Sequence, residues 1–170
     1  MYQKQVNERS PMRVFERSIH GGLGKGNVGV VLSRAGIGKT AFLVDIALDD
    51  LMRDRRVLHV NIDDPVEKVR AFYDEIFVDL AESMKIENRD RVHLNVERHR
   101  LIQTYMAESF SLDKLKSGIV MAAEIMNFVP DVIVLDGYPR FSMATEDDLL
   151  ELKDIAKRHD CELWVSGRAR

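Results

Sequence analysis

The stretch 28-VGVVLSRAGIGKTAFLVDIALDDLM-52 decides the fold. It opens on 28-VGVVL-32, a short apolar and β-branched run of the kind that forms a buried strand. The loop 33-SRAGIGKT-40 follows. From Lys39 to Met52, apolar residues recur at helical spacing. Strand, glycine loop and helix thus stand in immediate succession, and the same alternation continues outward along the chain.

Segment 56-RVLHVNI-62 is a second apolar strand. A helix start follows it, with Asp64 as N-cap, Pro65 at the first helical position and Glu67 at the third. That helix carries Val66, Val69, Phe72, Ile76, Phe77, Leu80 and Met84 on one face. The alternation in 91-RVHLNV-96 predicts a third strand, whereas 98–110 fits neither period. A helix is expected over 111–128, ending before Pro130, and a strand over 132-VIVLD-136. Thr145-x-x-Asp148 caps a helix running to about His159, and 162-ELWVS-166 is the last strand. Continuous apolar strands alternating with helices predict a mostly parallel sheet covered on both faces, a three-layer α/β/α architecture.

The chain has 170 residues, enough for one domain. Residues 1–13 are polar and expected to be loose. Residues 14–27 are a glycine-rich lead-in to a single domain over 14–170. Net charge is −3, which argues against a strong electrostatic grip on nucleic acid. Arg53, Arg55 and Arg56, and Arg89, Arg91, Arg98 and Arg100, form small basic clusters that read as solvated faces. The single cysteine, Cys161, excludes an internal disulfide and reads as a buried, inert thiol. No apolar run reaches the ~18 residues of a membrane span, and the N-terminus lacks an apolar signal core. A cytoplasmic protein away from membranes is expected. The five histidines, at 20, 59, 93, 99 and 159, show no metal-ligand spacing.

The chemistry lies in the loop. Residues 33–40 match GxxxxGK[ST] except that Ser33 stands for the first glycine. Gly36 and Gly38 let backbone N–H groups turn inward around a phosphate chain, and the helix N-terminus adds its positive dipole end. The expected phosphate cradle is Ser33, Arg34, Ala35, Gly36, Ile37, Gly38, Lys39 and Thr40. Lys39 is expected to reach the outer phosphates, and the Thr40 hydroxyl to ligate Mg²⁺. Such a loop needs a second metal anchor, and Asp136, at the end of a buried strand, supplies it.

Two resemblances compete for the remaining assignment. The run 136-DGYPR-140 resembles the DGFPR signature of nucleoside monophosphate kinases. In that class, however, Gly separates the loop lysine from Ser or Thr, and an arginine-rich lid follows; here Thr40 follows Lys39 directly. The RecA-like ATPases of the KaiC/RadA branch are similar over most of the chain. In 20-HGGLGKGNVGVVLSRAGIGKTAFLVDIALD-49, a GGL-x-x-G lead-in precedes the loop strand. The segment 57-VLHVNIDDP-65 looks like the strand that, in those proteins, ends in adjacent acidic residues.

The RecA-like resemblance implies that Asp63 or Asp64 orients the attacking water, with Asp63, at the strand end, the better placed. Glu is usual there in the KaiC-like sequences, and Asp is one methylene shorter. It implies that Ser166 senses the γ-phosphate, and that Arg168 or Arg170 lies where relatives carry a cationic finger; a charged chain end explains these arginines equally well. It implies that strand 162–166 lies between 28–32 and 132–136, whereas a kinase would set 132–136 directly beside 28–32. Relatives continue with further C-terminal strands, so a minimal or shortened version of the fold is expected. The implied function is ATP binding with Mg²⁺ and slow hydrolysis serving switching or assembly, in a homo-oligomer with nucleotide near the subunit interface. A non-hydrolysing regulatory module that engages a protein partner, and a monophosphate kinase, are the alternatives. Nucleic acid is a weaker partner. Arg140 has no assigned role.

Overall fold

The computed structural model describes residues 23–33, 38–138 and 146–168. Expectations for 1–22, for Arg34–Ile37, for Pro139 and Arg140, for the Thr145 cap and for Arg170 fall outside these residues, as do the side chains of Ser33 and Arg168. Five strands form one sheet: β1 (Val28–Ser33), β2 (Val57–Ile62), β3 (Arg100–Tyr105), β4 (Val132–Asp136) and β5 (Glu162–Arg168). Among the described residues, five helices connect them: α1 (Lys39–Met52), α2 (Val66–Ser83), α3 (Arg89–His99), α4 (Leu112–Ile125) and α5 (Glu146–Arg158). Every pairing is parallel, in the order β1-β5-β4-β2-β3. The last strand therefore lies between β1 and β4.

Side chains of a strand alternate between the two faces of its sheet, and the core divides accordingly. Val57, Val132, Val134 and Trp164 pack against α1, α2 and α3. Leu58, Val60, Ile62, Ile133, Leu135, Leu163 and Val165 pack against α4 and α5. With one face occupied by each helix set, the molecule has three layers. Strands β2 and β4 are buried along their whole length, which explains why their sequences are mostly apolar, His59, Asn61 and Asp136 excepted. Gly29 permits a close approach: a Cβ there would stand 2.6 Å from the Trp164 ring, directly across the β1–β5 register.

Two expectations need correction. Residues 91–96 are not a strand but the middle of α3. Val92 and Val96 are buried and one helical turn apart, while the intervening Leu94 is 47% exposed. The third strand instead occupies 100–105, where 98–110 had shown no period. It is an edge strand of intermediate burial throughout, so no apolar pattern advertises it. The start of α2 is displaced by one residue. Pro65 is the N-cap, Val66 the first helical residue, and no side chain caps the helix. The Asp64 carboxylate, expected as the cap, takes Lys68 Nζ at 2.9 Å.

The other boundaries agree closely. Helix α4 begins after Ser111, whose hydroxyl accepts from Lys114 N, and ends a few residues short of the expected limit. Among the described residues no helix is long and apolar enough to cross a membrane.

Candidate functional site

Strand parity assembles the site. On β2 the sequence Val57, His59, Asn61 steps along the α1–α3 face; Val132, Val134, Asp136 does so on β4, and Trp164, Ser166 on β5. Parallel strands bring their carboxyl ends to the same edge, so His59, Asn61, Asp136 and Ser166 converge there. Asn61 and Asp136 are register partners. Helix α1 begins at this edge, with Gly38 as its N-cap at φ 82°. That left-handed turn suits glycine, and an added Cβ would meet only open space, so backbone conformation alone sets the requirement.

Asp136 is the hub. Its carboxylate is 4% exposed. Thr40 Oγ1 donates to Oδ2 at 2.9 Å, Asn61 Nδ2 donates to the same oxygen at 3.2 Å, and Ser166 Oγ donates to Oδ1 at 3.1 Å. His59 Nε2 stands 3.7 Å from Oδ2, beyond hydrogen-bond reach. Burial is the largest influence on the acidity of Asp136 and pushes its pKa up. The histidine beside it and the Thr40 and Ser166 hydroxyls act the other way and prevail, so the carboxyl is held below its ordinary range. It is a buried anion kept ionised by its neighbours.

The surrounding groups are themselves fixed. Gly137 N donates to Ser166 Oγ at 2.8 Å, anchoring the turn after β4. His59 Nδ1 lies 2.7 Å from the Tyr73 hydroxyl, and Arg100 stacks 4.6 Å over the Tyr73 ring. Burial drives the Tyr73 phenol well above its ordinary pKa, so it stays neutral. Cys161 is buried, with its thiol pushed up to about 12, an inert group as expected.

The predicted residues fare differently from one another. Thr40 and Asp136 are brought together. Lys39 is the first residue of α1, in the turn beside them. Ser166 is close to Asp136 but fully buried, and its hydroxyl is engaged on both sides. Asp63 has left-handed backbone, φ 77°, and faces β3: its amide donates to Tyr105 O, and its Oδ1 accepts from Ala107 N at 2.8 Å. Asp64 is tied to the site instead, because its amide donates to Asn61 Oδ1 at 3.0 Å.

Sequence reading missed His59 and Asn61. The available signal was parity: both sit on a strand as apolar as 57-VLHVNI-62, in step with Asp136's face. A polar side chain at such a position must find a buried partner.

The donors here are hard oxygens, hydroxyl and carboxylate, of the type that suits Mg²⁺ or Ca²⁺ rather than a thiophilic metal. The N-terminal turn of α1 holds no acidic residue, and no side chain caps it. Its leading N–H groups and positive dipole end therefore suit an anion. On the opposite face a cleft of about 260 Å³ is lined by Ser111, Leu112, Asp113, Tyr138, Asp148 and Glu151. Its three carboxylates would repel phosphate. His93 lies apart, joining α2 to α3 between Asp74 at 2.7 Å and Glu97 at 3.4 Å.

No protein-family model matches the chain, and no curated protein matches it.

Proposed function

We propose that this chain is a RecA-like P-loop protein of the KaiC/RadA type that binds ATP with Mg²⁺ and hydrolyses it slowly, for switching or assembly. The observation that carries this reading is the 2.9 Å contact between Thr40 Oγ1 and Asp136 Oδ2. It joins the residue after the loop lysine to a distant strand-end carboxylate, as metal binding by a P-loop requires. The position of β5 between β1 and β4 favours the RecA-like branch. The monophosphate kinase reading, which expected β4 directly beside β1, has less behind it.

In this reading the 33–40 loop and the start of α1 hold the phosphates, and Lys39 neutralises the outer ones. Bound Mg²⁺ would draw off phosphate charge. Thr40 and Asp136 are its holders, and Ser166 and Asn61 keep the Asp136 carboxylate in place. Asp64, linked to the site through Asn61, is better placed than Asp63 to orient water. A homo-oligomer with nucleotide near the subunit interface is part of the same proposal.

A second reading, a non-hydrolysing module that engages a protein partner according to nucleotide state, draws on a specific observation. Both candidate base carboxylates are already occupied, Asp63 by Ala107 and Asp64 by Lys68. Calorimetric titration of ATP with and without Mg²⁺ tests the shared premise. Wild type should bind, and Thr40→Val should lose at least about tenfold of the Mg²⁺-dependent part. Equal affinity of the two proteins for Mg·ATP would refute the proposal. Turnover above that of an Asp63→Ala/Asp64→Ala protein separates the two readings.

A further inference from the structure

We propose that Asn61 is a positioning residue that couples the state of Asp136 to the Asp63–Asp64 turn, an inference that rests on the Mg²⁺–nucleotide reading above. Asn61 is 2% exposed, on the last turn of pleat before β2 ends. Its Nδ2 donates to Asp136 Oδ2 at 3.2 Å, and its Oδ1 accepts from Asp64 N at 3.0 Å. The orientation of the amide follows from these partners, because a flipped amide would set its oxygen against a carboxylate and its NH₂ against a backbone N–H.

One side chain thus spans two functional parts. The oxygen that Asn61 contacts is the one that also receives Thr40 Oγ1, so Asn61 and the two residues that would hold the cation meet at one atom. With Mg²⁺ held by Thr40 and Asp136, the Asp136 carboxylate would be shared with the ion, and the bond it accepts from Asn61 Nδ2 would weaken. The amide is planar and rigid, so movement at Nδ2 is movement at Oδ1. The recipient is the backbone of Asp64, one residue beyond the left-handed Asp63. Asp63 is fixed to β3 through its own amide and carboxylate, so the response is expected at the Asp64 amide rather than along the whole turn. Asp64's own side chain reaches out to Lys68, so its backbone amide is the turn's link to the site. The coupling requires a residue that donates at one end and accepts at the other over the length of a short side chain. Leu keeps the shape and neither bond.

Residue-resolved amide hydrogen exchange on the full chain tests this, with Mg²⁺ and a non-hydrolysable ATP analogue as the probe and calorimetry reporting analogue binding. In wild type, Mg·analogue should change exchange at the Asp64 amide by about fivefold or more, and analogue without Mg²⁺ should not. Asn61→Leu should free the Asp64 amide, raising its exchange about tenfold without ligand, and should abolish the response while analogue still binds. Analogue binding by wild type with no Mg²⁺-dependent change at Asp64 overturns the coupling alone, whether or not the variant folds. A wild-type response that survives intact in Asn61→Leu overturns it too. Failure of wild type to bind Mg·analogue at all defeats the nucleotide reading, and the coupling falls with it.

Discussion

Asp50 offers a quantitative test of the packing that anchors α1. It lies near the C-terminal end of the helix and is fully buried. Arg55 Nη1 donates to its Oδ1 at 2.9 Å, and its Oδ2 has no hydrogen-bond partner among the described residues. Burial, the dominant effect, outweighs Arg55, and Glu162 and Asp49 nearby add repulsion; the pKa rises from 3.8 to about 7. The negative end of the helix dipole acts in the same direction. Between pH 4 and 7 the folded chain therefore holds a proton that the unfolded chain has released. Stability conferred by the protonated carboxyl is present below pH 4, declines as pH rises to about 7, and is then flat.

Asparagine copies the protonated form and keeps an acceptor for Arg55. Relative to wild type, Asp50→Asn should gain stability as pH rises, by roughly 2–3 kcal/mol between pH 5 and pH 8, integrating one proton over that window. Urea unfolding of both proteins at four or five pH values gives the difference free of the other carboxylates, which titrate alike in each. A difference that stays constant within the error of extrapolation would refute the argument, for it would mean that Arg55 keeps Asp50 ionised throughout.

Two further substitutions probe the sheet and the site. Gly29→Ala places a methyl group 2.6 Å from the Trp164 ring. It should cost about 1–3 kcal/mol in denaturant unfolding and change Trp164 fluorescence; a neutral result would show that the ring can yield. Ser166→Ala removes the donor to Asp136 Oδ1 and the acceptor for Gly137 N. It should cost roughly 1–3 kcal/mol at neutral pH. Because the depressed pKa of Asp136 gives stability that is lost as pH falls through it, the variant should also unfold at higher pH on acid titration. An unchanged acid midpoint would contradict the role given to the hydroxyl.

The strands that cross the centre of the molecule could be read in advance because burial on both faces makes most of their residues apolar, with His59, Asn61 and Asp136 as the exceptions that face the site. Segments 57–62 and 132–136 show this directly. The edge could not be read so. In β3, RLIQTY, half-exposed positions accept Arg, Gln and Thr without penalty, and the apolar signal vanishes. Just before it, Val92, Leu94 and Val96 imitate a strand's alternation. A helix tolerates that imitation because the exposed Leu94 costs little, while Val92 and Val96 still meet the core. Period alone does not separate the two when a segment spans only three turns.

Thr40 and Asp136 could be singled out because a hydroxyl at a helix start and an aspartate closing an apolar strand stand out from their neighbours, while residues 34–37 of the loop lie outside the described residues. The bonds that hold Thr40 and Asp136 were not legible, because they depend on register, which pairs Asn61 with Asp136 only once β2 and β4 are set side by side. The same dependence explains the divided fate of 136-DGYPR-140. Asp136 and Gly137 are both fastened to Ser166, thirty residues away and a strand apart. That fastening exists because β5 pairs directly with β4. Asp136 and Gly137 are thus bound to a neighbour that only the assembled sheet brings to them, and the letters of 136–138 carry no sign of it.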